Sequence, residues 1–137
     1  MVIRYSRQTI DNSDIQSVSK TLKSDWLTTG PNIGIFENDI CKKVSVKYGV
    51  AVNSATSALH IACKALGLSS GDNLWTSSNS FIASANCGLY CGAKVDLVDI
   101  DLDTQNISIT KLKEKLINSK KKDLPKILIP VAFAGQS

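Results

Sequence analysis

A chain of 137 residues that is 43% hydrophobic and 20% charged lies in the ordinary globular range and can bury one core. The formal charge of +4 is mild and local, since seven of the 16 basic residues lie between Lys111 and Lys126, and it calls for no nucleic-acid partner. The first residues lack the apolar core of a secretion signal and no apolar run approaches the length of a membrane span, so a cytoplasmic protein with no membrane partner is expected.

Ser13, with Gln16 three residues on, has the form of a capping box, and Ile15, Val18, Leu22 and Trp26 recur at helical spacing, which predicts a helix over 13–24. Thr28-Thr29-Gly30-Pro31 breaks it. Phe36, Ile40 and Val44 then mark one face of a second helix that closes near Tyr48-Gly49. From Val50 the pattern alternates, with apolar runs at Val50–Val52, Leu74–Trp75, Val95–Ile100 and Ile127–Val131 separated by helical stretches over 56–66, 80–91 and 110–118. Ala58, Leu59, Ala62, Cys63 and Leu66 give the first of these helices an apolar stripe, with Gly67 as its carboxyl-terminal cap. Short strands joined by helical crossovers imply an α/β fold with a mostly parallel sheet.

Ile127-Leu128-Ile129 shows no polar alternation, as expected of a central parallel strand, yet only six residues follow Val131. An incomplete domain is therefore expected. Lys120-Lys121-Lys122 reads as a solvated connection. Cys41, Cys63, Cys87 and Cys91 read as small buried hydrophobes, because no Cys-x-x-Cys pair occurs and His60 is the one histidine. No metal site is expected: Asp99, Asp101 and Asp103 lack the glycine and distal glutamate of a calcium loop.

The segment Val52-Asn53-Ser54-Ala55-Thr56-Ser57 passes from an apolar run through small hydroxyl residues into a helix. A helix start offers unpartnered N–H groups and the positive end of a dipole, and Thr56 and Ser57 add hydroxyl donors suited to a phosphate. A plain helix cap at Ser54 or Thr56 is the competing reading of the same residues. No Walker loop or Gly-x-Gly-x-x-Gly is present, which disfavours triphosphate and dinucleotide sites. Asn79-Ser80-Phe81-Ile82-Ala83 follows the second run, at the strand edge where ligands of parallel sheets collect. Phe81 there either faces a planar ligand or, on pattern alone, fills the core beneath the loop. His60 reads as a partly buried structural histidine and Lys64 as a surface lysine.

The order Trp26-Leu27-Thr28-Thr29-Gly30-Pro31, Asn53-Ser54-Ala55-Thr56-Ser57-Ala58-Leu59-His60, Ser80-Phe81-Ile82-Ala83-Ser84-Ala85-Asn86 and Val98-Asp99-Ile100-Asp101 resembles the DegT/DnrJ/StrS-type sugar aminotransferases. The likeness extends to Ala134-Gly135-Gln136-Ser137. Within the family it looks closest to the branch acting on UDP-linked 4-keto-6-deoxy-N-acetylhexosamines, the altrosamine transaminases of pseudaminic acid biosynthesis.

The resemblance implies the aspartate-aminotransferase type of fold (fold type I), a helical segment over 1–48 and part of a pyridoxal-phosphate-binding large domain over 49–137. It implies pyridoxal 5'-phosphate as cofactor, a homodimer, glutamate as amino donor and a keto-sugar nucleotide as acceptor, in polysaccharide biosynthesis. By position, Ser54, Ala55, Thr56 and Ser57 would hold the cofactor phosphate and Phe81 would stack on its ring. Thr28, Thr29 and Gly30 would lie near the sugar nucleotide. The family's acid at the pyridine nitrogen and its Schiff-base lysine come later than residue 137, so no catalytic residue is assigned here and the chain alone is expected to be inactive. Two alternatives stand beside this reading: a non-catalytic remnant or interaction module, and a sugar dehydratase using the same cofactor.

Overall fold

A computed structural model describes residues 6–136; Met1–Tyr5, in the expected helical segment, and Ser137, the last residue of the resemblance, lie outside the described residues. The chain divides into two compact units, Met1–Ala51 and Val52–Ser137.

The first unit holds helices α1 (Asn12–Leu22) and α2 (Pro31–Val44). A capping box does open α1, but it is built from Asp11 and Asp14 rather than Ser13 and Gln16. Asp11 Oδ1 accepts from the N–H groups of Ser13 at 2.7 Å and Asp14 at 3.1 Å, and Asp14 Oδ2 accepts from the Asp11 N–H at 3.0 Å. Ionised carboxylates match the positive helix end better than a hydroxyl and an amide do. Pro31 starts α2, where its missing N–H costs nothing, and Ser45 ends it in the left-handed region at φ 56°, short of the expected Tyr48-Gly49. Gly30 has φ 143°, and a Cβ there would lie 2.6 Å from Trp26 Cβ, so the loop between the helices closes only around glycine.

The second unit opens with α3 (Ala55–Ala65), then β1 (Asn73–Ser77), α4 (Ala83–Tyr90), β2 (Lys94–Val98), α5 (Ile109–Asn118) and β3 (Ile127–Ile129). The three strands form one parallel sheet in the order β2-β1-β3, with Leu74 opposite both Val95 and Ile127. This is the α/β arrangement of parallel strands and helical crossovers that the sequence implies. Two expectations fail within it. Val50–Val52 forms no strand: no described strand pairs with it, Val50 is 76% exposed, and the Ala51 N–H donates to Glu37 Oε1 at 2.8 Å instead of to a ladder. Ile127–Ile129 is an edge strand among the described residues; the centre of the sheet is β1, which is buried from Leu74 to Ser77.

Alternation along β1 sends its side chains into two cores. Leu74 packs with Cys63, Leu68, Cys87, Cys91 and Ile127 on the face covered by α3 and α4. Trp75 packs with Val98, Ile107 and Leu112 on the face covered by α5. Of the expected stripe on α3, Cys63 and Leu59 join the core, while Ala58, Ala62 and Leu66 are exposed. Gly67 closes α3 as expected, at φ 75°, with its N–H donating to the Lys64 carbonyl and the Leu68 N–H to that of Cys63. The expected strand over Val95–Ile100 ends at Val98 because Ile100 turns away to bridge Ile107. Cys63, Cys87 and Cys91 are buried thiols, as their reading as hydrophobes implies, whereas Cys41 is only half-buried.

Candidate functional site

Ser54 is extended (φ −162°, ψ 157°) and its Oγ accepts from the Ser57 N–H at 3.2 Å, so the competing reading of this segment holds: Ser54 is the cap of α3. The cap satisfies only part of the helix start. The Ala58 N–H reaches the Ser54 carbonyl at 3.1 Å, while the N–H groups of Ala55 and Thr56 have no hydrogen-bond partner among the described residues. Both donors lie at the positive end of the α3 dipole, the arrangement an oxyanion can complete.

The hydroxyls of Thr56 and Ser57 are not equivalent. Ser57 Oγ donates to Asn53 Oδ1 at 2.7 Å and lies 3.1 Å from Ser54 Oγ, so its single proton is engaged within the protein. Thr56 Oγ1 has no partner among the described residues and can turn its proton outward. Asn53 is the residue that sequence reasoning missed. Its one legible signal was its place directly before the cap, and that says nothing about the i to i+4 bond it makes to Ser57.

Phe81 leaves the carboxyl end of β1 and is 74% exposed, which overturns the reading of its ring as core. Its carbonyl accepts from the Ser84 N–H at 3.0 Å and from Ser80 Oγ at 3.1 Å, which fixes the backbone while the ring stays free. The helix expected from residue 80 therefore begins only at Ala83, since Ser80 and Phe81 serve as its lead-in. Beneath them Ser77, the last residue of β1, is 1% exposed and its Oγ has no partner among the described residues. A buried hydroxyl left so at a strand end marks a place where a ligand or an ordered water completes the bonding.

Thr28, Thr29 and Gly30 lie together in the first unit, on the wall of a cavity of about 900 Å³ that Trp26, Ile33 and Phe36 also line. His60 meets the Tyr90 ring edge-on, with centroids 5.4 Å apart, and Lys64 is exposed. Asp101 Oδ1 accepts from the N–H groups of Asp103 and Thr104 and from Thr104 Oγ1; the Thr104 bonds first of all hold its carboxyl below the usual range. The acidic run thus closes a turn, and no cluster suited to a metal ion occurs among the described residues. None of their helices is long and apolar enough to cross a membrane.

The sequence profile of the DegT/DnrJ/EryC1/StrS aminotransferase family matches residues 8–137. The chain is 42% identical over 136 residues to a UDP-4-amino-4,6-dideoxy-N-acetyl-beta-L-altrosamine transaminase of Campylobacter jejuni, covering 99% of this chain and 35% of that protein. It is 40% identical over 133 residues to the spore coat polysaccharide biosynthesis protein SpsC of Bacillus subtilis, covering 97% and 33%. Among solved structures, the PLP form of a putative sugar aminotransferase, Spr1654 of Streptococcus pneumoniae, superposes with a TM-score of 0.87 at 30% identity, over 98% of this chain and 33% of that one. The chain thus spans about a third of the length of the curated relatives it matches. By a profile match that covers nearly all of its length, the chain belongs to the DegT/DnrJ/EryC1/StrS aminotransferase family.

Proposed function

We propose that this chain is the amino-terminal, cofactor-seating part of a pyridoxal-phosphate-dependent enzyme that transfers an amino group from glutamate to a keto-sugar nucleotide, probed best with UDP-linked sugars. The observation that carries the reading is the start of α3, where the Ala55 and Thr56 N–H groups and the Thr56 hydroxyl stand without protein partners among the described residues. Those groups fit a phosphate dianion, which only accepts hydrogen bonds and is favoured at a helix start. When bound, pyridoxal phosphate supplies an electron-withdrawing ring and carries the amino group between donor and acceptor.

The residues of this chain bind and orient. Ala55 and Thr56 hold the phosphate, Ser54 keeps the helix start in register, and Asn53 fixes the rotamer of Ser57; Ser57 donates to the phosphate only by releasing Asn53. Phe81, exposed at the carboxyl end of β1, offers a flat face to the ring. Thr28, Thr29 and Gly30 border the sugar nucleotide. The acid at the pyridine nitrogen and the lysine that joins the cofactor come from sequence beyond Ser137, the active protein is a cytoplasmic homodimer, and residues 49–137 form part of its large domain.

The test is made on the protein produced from its complete gene. Pyridoxal phosphate is expected to bind with a new absorbance band and to support amino transfer from glutamate to a UDP-linked keto sugar. Thr56→Val, which removes one charge-assisted hydrogen bond and keeps the shape, is expected to weaken cofactor binding by about tenfold. A wild-type protein that neither binds the cofactor nor aminates any keto-sugar nucleotide overturns the proposal.

A further inference from the structure

The strands are parallel and ordered β2-β1-β3, so the segments leaving β2 and β3 emerge at the same carboxyl edge, on either side of β1. Neighbouring strands lie about 4.8 Å apart, which separates β2 from β3 by roughly 10 Å. The loop after β2 crosses toward that of β3, and one side-chain amide joins the two. Asn106, in the loop after β2, accepts from the Phe133 N–H through Oδ1 at 2.8 Å and donates through Nδ2 to the Gln136 carbonyl at 3.2 Å, both in the turn after β3.

Asn106 is itself held at its backbone. Its carbonyl accepts from the Asp101 N–H at 2.9 Å, its N–H donates to Thr104 Oγ1 at 3.3 Å, and the next residue, Ile107, is buried and bridges Ile100. The turn it grips has Ala134 at φ 52° and Gly135 at φ 82°, and Ala134, Gly135 and Gln136 are all exposed. A backbone fixed from behind with its side chains open to solvent is a surface set for contact. Between the two bonded segments lies the end of β1, with the buried, unpartnered Ser77 hydroxyl and the exit toward Phe81.

We infer that Asn106 is a positioning residue: its amide ties the exits of β2 and β3 together across the end of β1 and so fixes the strand-end surface beside which Phe81 meets the cofactor ring. The inference rests on the cofactor reading above. Its two bonds differ in direction, one accepted and one donated, and an aspartate keeps only the first.

The test compares wild type, Asn106→Ala and Asn106→Asp in the protein produced from its complete gene, by absorbance titration with pyridoxal phosphate and by amide exchange over residues 133–136. Asn106→Ala is expected to weaken cofactor binding about tenfold and to speed exchange across the turn, with Asn106→Asp between it and wild type. Cofactor affinity that is unchanged in both variants while the wild type binds overturns the inference alone. If Asn106→Ala does not fold, wild-type affinity and exchange in Asn106→Asp overturn it equally. A wild type that does not bind the cofactor overturns the function reading and this inference with it.

Discussion

Lys126 Nζ lies 2.9 Å from Asp72 Oδ2 and 2.7 Å from the Gly67 carbonyl, so one ammonium joins the start of β3 to the loop between α3 and β1. The same carboxylate accepts from the Ser69 N–H at 2.8 Å and the Ser69 hydroxyl at 3.0 Å. The Lys126 bond first, then those of Ser69, hold the Asp72 carboxyl below its usual range.

That shift sets a pH dependence with a definite sign. A carboxyl depressed in the folded state stabilises it fully above the unfolded value, about pH 4, and loses that contribution as the pH falls through the folded value. Asp72→Asn should therefore lower stability at neutral pH and flatten the loss of stability on acidification. Urea midpoints measured from pH 7 down to about pH 3 check this; parallel curves for the two proteins would refute it.

Gly88 places α4 against the sheet. A Cβ there would lie 2.8 Å from Val95 Cγ2 and 3.2 Å from Leu74 Cβ, so the half-buried Val95 and the fully buried Leu74 would have to shift. Gly88→Ala, which elsewhere in a helix would help, should destabilise by about 1–3 kcal/mol because overpacking exceeds the gain in helix propensity. Equilibrium unfolding in urea measures it, and a variant more stable than wild type would show that the helix sits farther from the strand.

Cys63 and Cys87 face each other with sulfurs 3.7 Å apart in the core beside Leu74. Burial first, then the Cys87 contact, pushes the Cys63 thiol up to about 12, so almost no thiolate forms at neutral pH. Both thiols should resist an aromatic disulfide reagent in the native protein and react together on unfolding. Mass spectrometry of labelled peptides reads this directly. Fast native labelling of Cys63 would mean that α3 is not docked as described.

How much of this was legible in the sequence depends on the range of the interaction. The helices over α1, α3 and α5, the Gly67 cap and the small hydroxyl turn ahead of α3 follow from residues within a few positions of one another, and sequence reading found them. The capping box was located two residues late, because its true acceptors are the carboxylates of Asp11 and Asp14, and Asp11 takes the Ser13 N–H that a box at Ser13 and Gln16 would need.

What only the tertiary structure decided is everything that needs a partner far along the chain. Val50–Val52 has the composition of a strand, yet a strand exists only as a pair, and the described residues give it none. Phe81 has the composition of a core residue, but β1 ends before it and α4 begins after it, so its ring faces solvent. Asn106 carries no sequence signal at all, since an amide means nothing until the fold sets a donor and an acceptor before it, 27 residues away at Phe133 and 30 at Gln136. The sequence by itself determined the family, the α/β class and the turn at Ser54–Ser57, because these rest on local order; which donors in that turn stay free, and which side chains brace the strand ends, waited on hydrogen bonds that only the assembled sheet and helices can align.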